Sequence, residues 1–230
     1  MIKIDRTETY GWEAAVHGMR NPMNSWDKSD SHYCWEPQYP GGGCWGCELN
    51  SDPNCRVDKF IVGRNDFDLM TRLVNSGTDH SKFMRMIGVS CDINAPLYWW
   101  KEYDTYKVGT VANSCSTMHK ICAKEFTLND FSHEHLSDIS TECLLDTIRC
   151  MNENRKALVN WKDDYMMKEK DYWWQIIQLL PSSYNQKRTV QLNYAVLRNI
   201  YHSRKNHKLD EWHDFCRWIE RLPYSELITM

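Results

Sequence analysis

Gln191-Leu192-Asn193-Tyr194-Ala195-Val196-Leu197-Arg198-Asn199-Ile200-Tyr201-His202 is the stretch on which the reading of this chain turns. Apolar residues recur at a helical interval, so the spacing predicts an amphipathic helix over roughly 187–204. At about 100° per residue, Asn193, Val196, Leu197 and Ile200 fall on one stripe. Arg198 and His202, four apart, share another face with Gln191 and Lys205. An amide set in an apolar stripe needs partners, since burying it unpaired costs about 1–3 kcal/mol. A satisfied core asparagine and a solvated cationic face would give this pattern. A helix presenting an amide, a guanidinium and an imidazole to a ligand would give it too, and the residues leave both open.

Outward from this stretch, punctuation and periodicity organise the rest. Residues 2–8 alternate as a strand, and Gly11 to Arg20 reads as a first helix. A helix pattern from Asp66 to Asn75 stops at Gly77. Phe83 to Ile93 is apolar and strand-like and ends at Asn94-Ala95-Pro96, after which Leu97 to Tyr106 is aromatic and helical. Further helical patterns cover 136–159, 163–180 and 208–221. No repeat or low-complexity tract interrupts them. The expectation is one α+β domain over 1–230, rich in helix with a small antiparallel sheet, carrying a loop insertion at about 21–60.

Composition narrows the functional classes. A net charge of −3 on 230 residues gives no global basic field, so a nucleic-acid partner is not expected. No apolar run approaches the roughly 18 residues of a membrane span. The start Met1-Ile2-Lys3-Ile4-Asp5-Arg6 has no apolar signal core, so a cytoplasmic chain is expected. There the ten cysteines serve as packing residues, metal ligands or free thiols rather than disulfides.

The insertion holds Cys34, Cys44, Cys47 and Cys55 in a C-x9-C-x2-C-x7-C spacing, with His32 nearby. A Cys-x-x-Cys turn aims two thiolates at one ion, so these four are the candidate ligands of a structural zinc. Reduced cysteines in an irregular loop are the competing reading.

Three other segments carry polar chemistry. In Gly77-Thr78-Asp79-His80-Ser81-Lys82-Phe83-Met84-Arg85 a turn glycine precedes an imidazole and two cations, which could meet phosphates or a polar cofactor edge. An exposed polar turn would look the same. Trp99-Trp100-Lys101-Glu102-Tyr103-Asp104-Thr105-Tyr106-Lys107 alternates aromatics with charges. That pattern suits a planar heterocycle or the buried rim of an oligomer equally. Gly109 to His119 is rich in hydroxyls; Ser114, Ser116 and Thr117 could cradle a phosphate or simply cap a helix. Cys115 sits among them without a sequence-local base and reads as a small packing residue.

In chain order these segments resemble the flavin-dependent thymidylate synthases. Asn193-x-x-x-Leu197-Arg198-x-x-x-His202 matches that family's late helix at every spacing. His80 matches the start of its His-x-Ser/Thr-x-x-Glu motif, with Lys82 and Arg85 near the Thr and Glu positions. Against the signature Arg-Gln-Trp-x-Arg-His-Arg-x-x-Ser-x-Asn-Glu-x-Ser, Lys101 falls on the first Arg, Thr105-Tyr106-Lys107 on Arg-His-Arg and Thr110 on the next Ser. With one inserted residue, Asn113, Ser114 and Ser116 fall on Asn-Glu-x-Ser. The similarity covers roughly 77–120 and 187–205, and the region 21–60 lies outside it. Of the triplet only the cation Lys107 remains, and Lys does not replace the planar fork of Arg.

The resemblance implies a helix-rich fold like that of the thymidylate-synthase-complementing proteins, in a divergent, phage-type member. It implies reductive methylation of dUMP to dTMP by a homotetramer, with FAD as cofactor and methylenetetrahydrofolate and NADPH as co-substrates. Arg198 is then the catalytic candidate at the pyrimidine; Lys107, Ser114, Ser116 and Thr117 are the substrate-phosphate candidates. His80, Lys82, Arg85, Lys101, Asn193 and His202 are the flavin candidates. Eleven tryptophans and twelve tyrosines agree with an oligomer, since aromatics are enriched at interfaces. Two other classes stand beside this one: a different pyrimidine-nucleotide enzyme, such as a hydroxymethylase, and a non-catalytic zinc-stapled interaction protein.

Overall fold

The computed structural model describes residues 2–34, 60–160 and 168–230. In chain order the described elements are β1 (Lys3–Tyr10), α1 (Trp12–Arg20), β2 (His32–Tyr33), β3 (Phe60–Ile61), α2 (Arg64–Asn75), β4 (Gly88–Pro96), α3 (Leu97–Tyr103) and β5 (Val111–Ser114). They continue with α4 (Thr117–Lys120), α5 (Asp138–Val159), α6 (Glu169–Leu179), β6 (Asn185–Asn193), α7 (Tyr194–Arg204), α8 (Asp210–Ile219) and α9 (Glu226–Thr229). The chain is α+β with a small antiparallel sheet, as expected. It divides into two compact units: Met1–Glu8, Ser90–Gln191 and Ser203–Ile219 form the first, and Thr9–Val89, Leu192–His202 and Glu220–Met230 the second.

In the first unit the strand order is β1-β4-β6-β5. β6 corrects the expected helix over 187–204. Within it Gln186, Val190 and Leu192 are buried while Lys187, Thr189 and Gln191 are exposed, the two-residue alternation of a half-buried strand. β5 pairs with it antiparallel, Val111 opposite Gln191 and Ser114 opposite Arg188. The helix begins only at Tyr194, because the Oδ1 of Asn193 accepts the Val196 N–H at 3.0 Å. Asn193 is therefore the half-buried N-cap of α7, not an amide in the middle of a core stripe.

Two packed clusters fill this unit. Leu144, Ile148 and Met151 of α5 meet Ile176 of α6 together with Ile121, Phe126 and Phe131. Buried Asn152 closes this cluster by exchanging two 2.9 Å bonds with the main chain of Phe126, so its amide costs nothing unpaired. The second cluster is aromatic. Trp99, Trp100 and Tyr103 of α3 and Trp212 and Phe215 of α8 are fully buried, with Trp99 and Trp212 ring centroids 4.8 Å apart. Trp99, Trp100 and Tyr103 of the aromatic run are thus core of their own chain.

The second unit is built around a buried ion pair. Arg20 of α1 is 5% exposed and Asp66 of α2 is fully buried, with Nε donating to Oδ1 at 2.6 Å. The other oxygen of Asp66 accepts from the Ser29 and Ser31 hydroxyls and from the Asp30 and Ser31 N–H groups. Asp30 answers by accepting the Asn65 and Asp66 N–H groups in the first turn of α2. A Cβ on Gly63 would stand 2.3 Å from the Asp30 carboxyl, so this mutual capping requires glycine there. Beyond it, the Trp12 ring lies 5.1 Å from Tyr194 and 5.0 Å from Tyr224.

Smaller expectations are adjusted as well. Lys82–Arg85 is a 3-10 turn, with strand β4 starting only at Gly88. Cys115 is exposed rather than packed, and the seven cysteines among the described residues are all free. Cys34 is buried, whereas Cys44, Cys47 and Cys55 lie outside the described residues. Among the described residues no helix is long and apolar enough to cross a membrane.

Two stability predictions follow from these caps. Burial pushes the Asp66 carboxyl up, but Ser29, Ser31 and Arg20 outweigh it and hold it below its ordinary value of 3.8. A lowered folded value means stability that is complete above the ordinary carboxylate range and lost as pH falls through it. Urea midpoints should drop below about pH 4 in the parent and flatten in Asp66→Asn. That variant should itself lose about 3–5 kcal/mol near neutrality, because Arg20 is left buried and unpaired. Asn193→Ala should lose about 0.5–2 kcal/mol and Asn193→Asp almost none.

Candidate active site

In the second unit, the candidate residues lie on the 3-10 turn and on α7. Gly77 has a φ of +105°, the left-handed turn that glycine adopts freely, and the His80 and Ser81 N–H groups fold back onto its carbonyl. His80, Lys82 and Arg85 are all exposed there. On α7, Leu197 and Ile200 are buried, Arg198 is half-buried and His202 is exposed. The Asn193 Oδ1 is spent on the helix cap, which leaves its Nδ2 as the group able to meet a ligand.

Arg198 is the most unusual of these. Its Nη1 donates to the main-chain oxygens of Leu227 and Ile228, each at 3.3 Å, and of Met230 at 2.6 Å. Among the described residues no side-chain carboxylate pairs with it, and burial pushes its pKa below the ordinary guanidinium value. Its bonds run through one nitrogen, so its other N–H groups could meet a bound anion or carbonyl.

In the first unit, Lys101 and Lys107 are exposed at the end of α3 and just beyond it. Lys107 helps line a recess of about 360 Å3 with Tyr103, Asp104, Tyr106, Thr110 and Ala112. The Tyr103 hydroxyl is buried and has no partner among the described residues. Burial pushes its pKa up, so it stays a neutral donor. The exposed Lys107 ammonium at this recess fits phosphate or carbonyl oxygens, the groups that a nucleotide or flavin carries. The recess is at the small end of ligand sites.

Ser114 ends the edge strand β5, and Ser116 caps α4: its oxygen accepts the His119 N–H at 3.1 Å and lies 2.9 Å from the His119 Nδ1. Thr117 is half-buried at the first position of α4. Ser116 thus does what the capping alternative anticipated.

Two arginines of this unit were not anticipated. Arg188, paired across the ladder with Ser114, bonds Asp104 at 2.8 Å and lies over the Trp100 ring at 4.2 Å. Arg204 donates to the Tyr106 hydroxyl and the Glu102 carboxylate, each at 2.9 Å. Glu102 also accepts the Trp212 N–H at 2.9 Å. The alternation over 185–193 was the signal that would have put Arg188 beside Ser114.

No protein-family model matches this chain, and no curated protein matches it. Solved structures do. Two crystal structures of ThyX, the flavin-dependent thymidylate synthase of Helicobacter pylori, each complexed with FAD and dUMP, are similar to it with TM-scores of 0.62 at 14% sequence identity. One match covers 98% of this chain and 97% of that chain; the other covers 100% and 97%. Over essentially its whole length, the chain has the fold of the flavin-dependent thymidylate synthases.

Proposed function

We propose that the chain is a divergent flavin-dependent thymidylate-synthase-like enzyme that binds a pyrimidine nucleotide and FAD. The observation that carries this reading is Arg198: the resemblance of the late helix implies that it meets the pyrimidine, and the fold presents it half-buried without a side-chain counter-charge. The likeness in fold to a protein complexed with FAD and dUMP supports the same reading. The proposed reaction is reductive methylation of dUMP, with methylenetetrahydrofolate and NADPH as co-substrates.

When bound, FAD would supply the hydride, so the protein needs no nucleophile of its own. The chain's part is to bind and orient. Arg198 holds the pyrimidine and stabilises negative charge developing on its carbonyl edge. Lys107 supplies charge to the nucleotide phosphate, with Ser114, Ser116 and Thr117 as neutral partners; Ser116 reaches it together with His119, to which its hydroxyl is bonded. The free Nδ2 of Asn193, with His80, Lys82, Arg85, Lys101 and His202, is assigned to the flavin. A homotetramer accompanies this reading.

A second reading is favoured by one departure. Thr105-Tyr106-Lys107 stands where the resemblance calls for Arg-His-Arg, and a single lysine cannot make the bidentate clamp of an arginine. A different pyrimidine-nucleotide reaction, such as hydroxymethylation, would tolerate that loss.

Purified protein should be yellow, or become so with FAD at about 100 µM, well above a low-micromolar dissociation constant. No flavin absorbance under those conditions would rule out the flavin assignment, and product analysis with dUMP and dCMP would decide between the two reactions. Arg198→Ala should abolish nucleotide turnover. It should also cost about 1–3 kcal/mol of stability, because main-chain oxygens lose a charged donor. Arg198→Lys, which keeps the charge, should recover stability but not turnover. A tetrameric mass by light scattering at micromolar concentration is expected; a monomer would refute the assembly.

A further inference from the structure

The hydrogen bonds of Arg198 are divided unevenly within its guanidinium. All three go through Nη1, to Leu227, Ile228 and Met230. Among the described residues neither Nε nor Nη2 has a partner, and neither is a buried orphan. Nη1 lies on the Cδ side of the guanidinium, so the parallel Nε–H and Nη2–H edge is left whole. That edge is the fork that meets a carbonyl or a pair of phosphate oxygens in two parallel bonds.

The oxygens that hold Nη1 belong to a short, well-anchored turn. Leu227 and Ile228 of α9 are fully buried. The turn is closed by the Ile228 and Thr229 N–H groups bonding the Ser225 carbonyl and by the Met230 N–H bonding that of Glu226. An arginine side chain has several rotatable bonds whose freedom is lost on being fixed. A main chain that fixes one nitrogen beforehand removes much of that cost from ligand binding.

We propose that the main chain of Leu227–Met230 is the positioning element of the pyrimidine site, clamping Nη1 of Arg198 so that the Nε/Nη2 edge faces the nucleotide ready to bind. This rests on the assignment of Arg198 to dUMP, and it adds a segment that has no side chain in that role. The Leu227 and Ile228 acceptors are neutral peptide carbonyls, and no side-chain carboxylate among the described residues occupies Nη1.

Thr229→Pro tests the clamp. It deletes the N–H that bonds Ser225 and drives Ile228 out of helical conformation, displacing the oxygens on either side while sparing every side chain near Arg198. The variant should melt within a few degrees of the parent, bind FAD as the parent does, and bind dUMP about tenfold more weakly. Thr229→Ala should match the parent. Added to Arg198→Ala, Thr229→Pro should weaken dUMP binding no further, since coupled residues are not additive.

The 15N order parameter of Arg198 Nε gives a readout independent of any ligand: rigid in the parent, averaged in Thr229→Pro. Should Thr229→Pro fail to fold, Thr229→Gly loosens the same turn and should move both readouts in the same direction by less. A mobile Arg198 Nε in the parent would overturn the proposal. So would Thr229→Pro binding dUMP within twofold of the parent or more tightly, or weakening it equally in the Arg198→Ala background. A rigid Arg198 in a parent that binds no dUMP would overturn the pyrimidine reading while leaving the clamp in place.

Discussion

One hydrogen bond, from the Val196 N–H to the Asn193 side chain, fixes where a strand ends and a helix begins. Everything assigned to function around it inherits its phase from that point. Before Asn193 the chain runs at a period of two residues, which puts Arg188 across the ladder from Ser114. After it the period is 3.6, which buries Leu197 and Ile200 and brings Arg198 to the main chain of Leu227–Met230. Moving the cap by one residue would turn both faces away from their partners.

Two arginines show how charge can be spent in one compact unit. Arg20 is enclosed: Asp66 neutralises it, and the main-chain oxygens of Ser25 and Lys28 take its remaining donors. Nothing of it is left for a ligand, and its role is to tie α1 to α2 through the turn at Ser29–Ser31. Arg198 is held by main-chain oxygens, all on one nitrogen. Arg20 has its charge matched within the fold, whereas Nε and Nη2 of Arg198 have no partner among the described residues.

The sequence made the α+β class, the first helix and the α2, α5 and α8 helices legible, because each carries strong local periodicity or a clear stop such as Gly77. It made the spacing of Asn193, Arg198 and His202 legible as well. It misled where one segment satisfied two periods. Gln186 to Leu192 alternates, yet its apolar residues merge with those of α7 into a plausible single helix, and the N-cap that separates them reads as a core amide. The aromatic run misled differently. Whether Trp99 and Trp100 face a ligand, a second subunit or Trp212 of their own chain depends on a contact more than 100 residues away, which no local pattern encodes. The three main-chain oxygens on Arg198 were invisible for a related reason: every residue has one.

The aromatic core also gives the molecule an optical signature. Trp99 packs against both Trp100 and Trp212, with centroids of 4.9 Å for Trp99–Trp100 and 4.8 Å for Trp99–Trp212. Indoles held this close in fixed, non-parallel planes couple their electronic transitions. Near-ultraviolet circular dichroism is therefore weighted toward the first compact unit, while Trp12, against Tyr194 and Tyr224, reports from the second. The two halves of the chain thus carry separate intrinsic chromophores, and their melting can be followed apart without a label.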